Sequence, residues 1–503
     1  MKNKEKAVSG HVRPDMPNFL KKPAPITDIK ETRDYDIVVI GAGSPGVPCA
    51  LAAVESGAKV ALLQKEADAS ACGNFGSGIE LATSNPRDVE ALISMLMAAS
   101  SHRPKRALLR SWADNSGEAI NWLIKKAESV GAQVSNYGNN AHKELLEKHG
   151  YQINFVTSVF GPKPYDIGEA LKALVRQAEK EGVEVFFRTP AQQLVVDNGK
   201  VTGVIAESAG GYVQFNARKG VVMATGDYQN DSDMLGYYLP DVGNLVPKKA
   251  GRTGDGHKMI VWAGGKIENL GHTKMCHDFD SGPATMCDMP FMRVKLNGKR
   301  FCDETLGMEL MNCYLLGDAD MGQYCQIFDG AYMTKAADWP GGLVSPEEMK
   351  MWMPEEDVER KGVEVDLINT HKADTLEELA AKLQITDVPA FLETVKKYNE
   401  MVATGKDTEF GMPSKYLQPI DTAPYYGIHR HLGMSMACSG VEVNGDLQCL
   451  DINGDPIEGL YAVGNCAGNF FGGVEYPMAV AGLNLGHNYT QGYVVGKRLA
   501  EMK

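Results

Sequence analysis

No two of the ten cysteines in this 503-residue chain form a C-x-x-C pair. That sets aside iron–sulfur, c-type haem and zinc-ribbon readings together, and scattered thiols in a chain of this length fit a reducing compartment. No stretch approaches the roughly 18–20 continuous apolar residues that cross a bilayer, so the chain is expected to be soluble, without a transmembrane segment. Lys2, Lys4 and Lys6 are followed by no apolar run, so no secretory signal is visible; the expected location is cytoplasmic. A basic stripe is missing too. The net charge is −13, whereas nucleic-acid binding needs clustered Lys and Arg; no nucleic-acid partner is expected, and the acidity serves solubility. Internal repeats and low-complexity tracts are absent.

Glycine is what the chain has in excess, at 54 residues, and glycine marks tight turns and close backbone approach to ligands. With 44% apolar and 23% charged residues the balance is globular, and the length suggests about two domains. Residues 1–33, polar and Pro-punctuated, read as an extended arm. Residues 36–40 (DIVVI) then read as a short buried strand, followed by Gly41-Ala42-Gly43-Ser44-Pro45-Gly46, a helical run to Ser56, and Gly57 as terminator. Residues 59–63 (KVALL) read as the next strand. Within this βαβ unit of about thirty residues a G-x-G-x-x-G turn signals dinucleotide binding. Gly41 permits the tight turn, Gly43 lets the backbone reach a pyrophosphate, and Gly46 lets helix and strand pack closely. The free N–H groups of the helix then face the diphosphate.

The acid that usually ends the second strand and grips the ribose is missing. Gln64-Lys65-Glu66 stands there, and Gln64 is expected to accept a ribose hydroxyl through its amide oxygen. Further along, residues 220–226 (GVVMATG) and 459–464 read as strands ending in Gly turns. Residues 195–206 and 212–217 form a hairpin-rich insert, residues 370–405 two amphipathic helices, and residues 482–500 the last helix.

Four separated segments together resemble the flavoprotein superfamily of fumarate reductases, urocanate reductases and 3-ketosteroid dehydrogenases. They are Gly41–Gly46; Gly73-Asn74-Phe75-Gly76-Ser77-Gly78; Ala224-Thr225-Gly226 with Thr253-Gly254-Asp255-Gly256; and residues 459–465, with Gly298-Lys-Arg-Phe301-Cys-Asp-Glu304 and residues 373–380 extending the likeness. The resemblance spans residues 34–503. It implies an α/β fold: a doubly wound Rossmann-type FAD-binding domain (34–280 and 420–503) interrupted by an α+β covering domain (281–419). It also implies noncovalent FAD, with the ring between the domains. Carried over residue by residue, the cofactor would meet Gly41–Gly46, Gln64, Lys65, Gly73–Gly78, Ala191, Ala224–Gly226, Asp255, Gly464, Asn465, Gly482, Asn484 and Leu485. The helix beginning near Gly482 would aim its N-terminus at the pyrimidine end of the flavin and stabilise the reduced anion.

Departures from the pattern choose the branch. Relatives that reduce unsaturated dicarboxylates carry an Arg four residues beyond the Glu of G-K-R-F-x-x-E, where this chain has Met308, and a His where it has Met436. Met neither donates a proton nor binds a carboxylate. The tail instead resembles the ketosteroid-dehydrogenase type through Gly464-Asn465, Tyr476-Pro477, Gly482 and Gly486. There a Tyr-Pro segment brings a phenol to the substrate ketone, and Tyr476 is the matching residue; a Tyr at this place also suits packing at a domain seam. The implied reaction transfers hydride between flavin N5 and a C–C bond conjugated to a ketone, with a phenol exchanging the proton. Met434, Met436, Phe470 and Phe471 would suit a steroid-like or other apolar enone, or ordinary core. Tyr425, His272 and His277 are further candidates for the acid. The cluster His272-Thr-Lys-Met-Cys-His277-Asp278-Phe-Asp280 fits no standard metal spacing, so no metal is expected. One alternative is reduction of an unsaturated carboxylic acid of fumarate, urocanate or acrylate type, with Arg293, Arg300 or His431 as donor. Another is an FAD subunit that relays electrons; no haem segment favours it. Either way an unidentified electron donor or acceptor is implied, since one dinucleotide motif is present.

Overall fold

Residues 36–40 lie at the end of a twelve-residue strand, Ile29–Ile40, at the centre of the largest sheet. The computed structural model describes residues 16–502 except 72, 74, 162–166, 244, 248, 270, 279, 280, 318, 340, 361, 362, 364, 473 and 474. Parallel pairing joins Ile37–Ile40 to Val60–Leu63 on one side and to Gly220–Met223 on the other. The sheet continues outward through Glu184–Phe186 beyond Val60–Leu63, and through Pro456–Ala462 and Gln448–Leu450 beyond Gly211–Met223. Buried on both faces, the central strands are continuous Val/Ile/Leu runs, as parallel strands covered by helices must be. The helix Gly46–Glu55 follows at once, built on an Ala-rich run and buried along most of its length.

Ile29–Arg33 fall within the stretch expected to be an arm, yet they pair with Tyr212–Phe215. The side chains of Lys30, Glu31 and Thr32 point to solvent. Backbone bonds do most of the holding in this half of the strand, with Arg33 laid over the Phe186 ring, so no hydrophobic pattern announces it. The insert forms the antiparallel strands Ala191–Asp197 and Lys200–Ser208, laid onto Gly211–Met223.

The covering unit is an antiparallel sheet in the order Met292–Val294, Gln323–Asp329, Tyr425–His431, Thr370–Ala373. On one face pack the helices Leu376–Lys382 and Val388–Thr404, through Leu379, Phe391 and Tyr398. The other face carries Phe291, Phe328, Tyr332 and Tyr426. Thr370–Ala373 is a strand, not the start of a helix. Tyr425–His431 lies inside this sheet, past the boundary expected at residue 419.

Two small sheets flank the main one. Gly433–Ala437 pairs with Lys274–His277 and with Val246–Pro247, and Phe75–Ile79 pairs with Phe155–Phe160. The last helix, Leu483–Glu501, crosses behind Gly46–Glu55 with Leu483–Tyr493 buried throughout. No described helix is long and apolar enough to cross a membrane.

Candidate active site

An open cleft lies where the central strands end. Gly41, Ala42, Gly43, Gln64, Lys65, Ala191, Ala224, Thr225 and Asp255, all named from sequence, line it, with Glu66 and Arg252. The three motif glycines are there for different reasons. A methyl group on Gly41 would lie 2.3 Å from the Ala224 oxygen, and one on Gly46 1.8 Å from the Gly41 oxygen. On Gly43 it would meet nothing nearer than the Ser70 oxygen at 3.3 Å. Protein backbone demands glycine at 41 and 46; at 43 the open side is the cleft.

Lys65 Nζ donates to Thr253 Oγ1 and to Asp255 Oδ2, each at 2.8 Å, closing the rim. Gln64 Oε1 accepts the Lys65 N–H at 3.0 Å while Nε2 donates to the Asp68 carbonyl, which leaves one carbonyl lone pair for a ribose hydroxyl. Arg252 covers Gly226, where a Cβ would meet its Nη1 at 2.4 Å.

Beyond the diphosphate end, the first turns of the C-terminal helix face the strand Phe75–Ile79. Gly482 caps the helix in the left-handed region at φ +72°, and its carbonyl accepts the Ser77 N–H. Leu485 packs on Gly73, and Gly76 gives room to the Tyr489 ring. Asn74 lies outside the described residues, as does Asp280. Along this wall Asn465 Oδ1, Asn484 Oδ1, Asn488 Oδ1 and the Tyr489 hydroxyl are buried without a partner. Four orphaned polar atoms about the start of the C-terminal helix are what a ligand carrying hydroxyl and imide groups would satisfy, so the residues fit the ribityl and pyrimidine parts of FAD. Three of the expected contacts belong to the protein instead. The Ser77 hydroxyl bonds Thr157 Oγ1 and His142 Nε2, Gly78 makes room for the Ser116 backbone, and Pro45 is wedged between Gly464 and Gly492. Ser44 Oγ accepts from Asn488 Nδ2 at 3.2 Å.

Tyr476 is 4% exposed. Its oxygen accepts the backbone N–H of Asn484 at 2.9 Å, in the first turn of the C-terminal helix. Burial raises its pKa, and the Asn484 N–H partly offsets the rise. Around it stand Phe471, with ring centres 5.1 Å apart, and then Phe470 and His487, stacked at 4.4 Å. Burial brings His487 down to about 3, so its ring is neutral. Met308, Met311, Met434 and Met436 belong to the same apolar core.

The other candidate acids fare differently. His272 spends both nitrogens, Nδ1 with the Tyr228 hydroxyl at 2.5 Å and Nε2 on the Glu268 carbonyl. It is also stacked on Tyr238 at 4.2 Å. It is a structural ring with no nitrogen left for a substrate. Tyr425 packs against the covering unit's own core, about 30 Å along the chain from Met434 at strand spacing. His277 Nε2 meets Ser435 Oγ at 2.7 Å on the strand pair carrying Met434 and Met436, and of the three it alone shares their small sheet.

Sequence reading missed the buried contact of the Tyr324 hydroxyl with Asp278, beside Arg430 at 3.8 Å. It joins the covering sheet to the strand of His277, and its members are 152 positions apart at most, a separation no local pattern reports. Among the described residues no three His, Cys, Asp or Glu side chains converge on a metal position.

A doubly wound sheet with a diphosphate-type turn, a cluster of unpartnered buried polar atoms and a covering unit is the arrangement of an FAD-dependent flavoprotein. The chain belongs to the FAD binding domain family, whose profile matches residues 36–276 and 315–478. It is 27% identical over 502 residues to the vinyl phenol reductase of Lactiplantibacillus plantarum, covering 93% of this chain and 96% of that one. In fold it is similar to the open conformation of a flavocytochrome c3 fumarate reductase, with a TM-score of 0.70 at 24% identity, covering 94% of this chain and 79% of that one. It is likewise similar to the 3-ketosteroid-Δ4-(5α)-dehydrogenase of Rhodococcus jostii RHA1, at 0.67 and 22%, covering 95% and 98%. The protein is an FAD-dependent oxidoreductase acting on CH–CH groups and the corresponding C=C bonds.

Proposed function

We propose that the chain hydrogenates, or in reverse desaturates, a C–C bond conjugated to a neutral oxygen on an apolar substrate, with Tyr476 as proton donor. Bound FAD supplies the hydride chemistry. The chain's own residues supply the rest: one proton, an apolar cleft and a place for the conjugated oxygen. The carrying observation is the bonding of Tyr476. Its oxygen already accepts a helix N-terminal N–H, so its own O–H is the donor left for a ligand, beside Phe471.

Other features support this reading over a carboxylate substrate. Arg300 is held by Glu304 and Asp407, at 2.6 and 2.9 Å from Nη2. Arg293 gives its terminal nitrogens to the carbonyls of Glu304 and Cys287, and His431 Nδ1 meets Ser281 Oγ. Arg300 is thus committed to its own carboxylates, while Arg293, bonded only to carbonyls, keeps a buried Nε without a partner. The relative named a vinyl phenol reductase also pairs a C=C bond with a neutral oxygen, but there the oxygen donates electrons through the ring, so a proton must reach the terminal carbon, giving a quinone methide, before hydride adds to the ring-side carbon. An external redox partner completes the cycle.

Tyr476→Phe keeps the ring and removes the hydroxyl. Mixed with vinyl phenols and enones after anaerobic reduction, the variant should reoxidise about 10²–10⁴ slower than the parent, with FAD content and melting temperature unchanged. Full turnover in Tyr476→Phe, or faster turnover of acrylates than of either other class by the parent, would sink the proposal.

A further inference from the structure

Two buried carboxamides compete for one poor acceptor. Asn465 Nδ2 and Asn484 Nδ2 both point at the sulfur of Met436, at 3.3 and 2.7 Å. A thioether is a weak hydrogen-bond acceptor, and 2.7 Å is the separation of an N–H from an oxygen rather than from the larger sulfur. Both side chains are buried, Asn465 to 7% and Asn484 to 5% exposure, and the Oδ1 of each has no partner. Asn484 also gives its backbone N–H to the Tyr476 oxygen. Two carboxamide donors, Asn465 Nδ2 and Asn484 Nδ2, are thus gathered on a flexible apolar side chain that rewards neither well, and the backbone of Asn484 ties the Tyr476 hydroxyl to the same region.

We infer that Met436 fills the seat of the substrate's conjugated oxygen, and that Asn484 and Asn465 are the specificity-determining residues that bind that oxygen when the thioether swings aside. The three rotatable bonds of Met make it an adaptable plug. Carboxamide N–H groups offer dipoles without net charge, so the seat suits a ketone or phenol oxygen and penalises a carboxylate, which would be buried without a cation. The inference deepens the proposed reaction by naming what holds the oxygen, and it does not depend on Tyr476 being the acid.

The test uses the FAD-loaded, oxidised protein and reads the shift of the flavin absorbance on titration with 4-ethylphenol, 4-methylcyclohexanone, ethylbenzene and benzoate. The parent should bind the phenol and the ketone about tenfold more tightly than ethylbenzene, the worth of one good hydrogen bond, and benzoate most weakly. Asn484→Leu, close in shape and with its backbone N–H intact, should lose most of that preference while ethylbenzene binding stays the same. Asn465→Leu should do so in part, and Met436→Ala should tighten phenol binding severalfold. The melting temperature of each variant checks that it is folded, since Asn465 and Asn484 also stand on the wall that fits the cofactor. No preference in the parent, or equal weakening of all four probes in Asn484→Leu, overturns the inference. Tyr476→Phe with full turnover but an intact oxygen preference would remove the acid and leave the seat standing. A lost preference with turnover still dependent on Tyr476 would do the reverse.

Discussion

At Gly43 the protein leaves more room for a side chain than at Gly41 or Gly46. A Cβ there lies 3.3 Å from the Ser70 backbone oxygen, a tight contact that asks this backbone to give by a few tenths of an ångström, so Gly43→Val should fold with a modest loss of stability. Its branched side chain would stand where the diphosphate meets the turn. The purified variant should be colourless, with a melting temperature near that of the cofactor-stripped parent. Full flavin occupancy would contradict the placement. Noncovalent binding is the companion expectation, since no His or Tyr stands in residues 73–78: acid precipitation should leave all the yellow colour in the supernatant, and colour in the pellet would refute it. Residues that bond through backbone or line the turn were legible one by one. Those whose role depends on what they face were not. Ser77 turns to His142, and His272 is locked between Tyr228 and the Glu268 carbonyl. Residue type named both as candidates, and only packing removes them.

The C-terminal helix is placed by its glycines. Methyl groups on Gly486, Gly492 and Gly496 would lie 1.9, 2.0 and 2.2 Å from the backbone oxygens of Ser77, Pro45 and Cys49. The helix therefore rides directly on the strand Phe75–Ile79 and on the helix Gly46–Glu55, and it cannot shift without disturbing the cofactor turn. Gly496→Val, toward the end of the helix, should destabilise by about 1–3 kcal/mol through overpacking and weaken FAD retention as the helix tilts. An unchanged unfolding midpoint in urea would show that the helices can part freely. Elements of this kind were legible where apolar residues and glycine punctuate each other, as in residues 36–63 and 482–500. The polar start of Ile29–Ile40 and the three-residue strand Met292–Val294 were not, because backbone pairing leaves little mark on side-chain pattern. Thr370–Ala373 was absorbed into the helical stripe that follows it. Asn465, Asn484 and Met436 could be named as residues. Their convergence could not, since it joins two turns and a strand from three parts of the chain.

For the whole molecule, burial of neutral imidazoles sets how stability responds to acid. Burial pulls His142 and His272 down to about 4 and His257 and His487 down to about 3. In the unfolded chain each returns to its ordinary value near 6.5. As pH falls below 6.5 the unfolded chain takes up protons that the folded chain refuses, so stability is complete above 6.5 and drains away toward the folded values. Each ring contributes up to about 1.4 kcal/mol per pH unit, and four together roughly 5 kcal/mol per unit near pH 5. Against a typical total of about 5–15 kcal/mol that is a large share, offset in part by buried carboxyls such as Asp227, Glu268 and Glu304, which burial raises and which therefore gain stability as pH falls. Asp407 acts later. Burial alone would raise it, but Arg300 and the N–H groups of Glu409 and Met412 hold it well below the usual carboxylate range, so its contribution is lost only below about pH 4. Urea unfolding with saturating FAD at pH 7.5, 6.5, 5.5 and 5.0 should therefore give nearly equal midpoints for the first two and a steep fall after. His272→Phe keeps the ring on Tyr238 and removes one titrating group; it should start from a lower plateau and lose stability about a quarter less steeply. A midpoint flat down to pH 5.0 would mean that these rings meet solvent or carry a proton in the folded state.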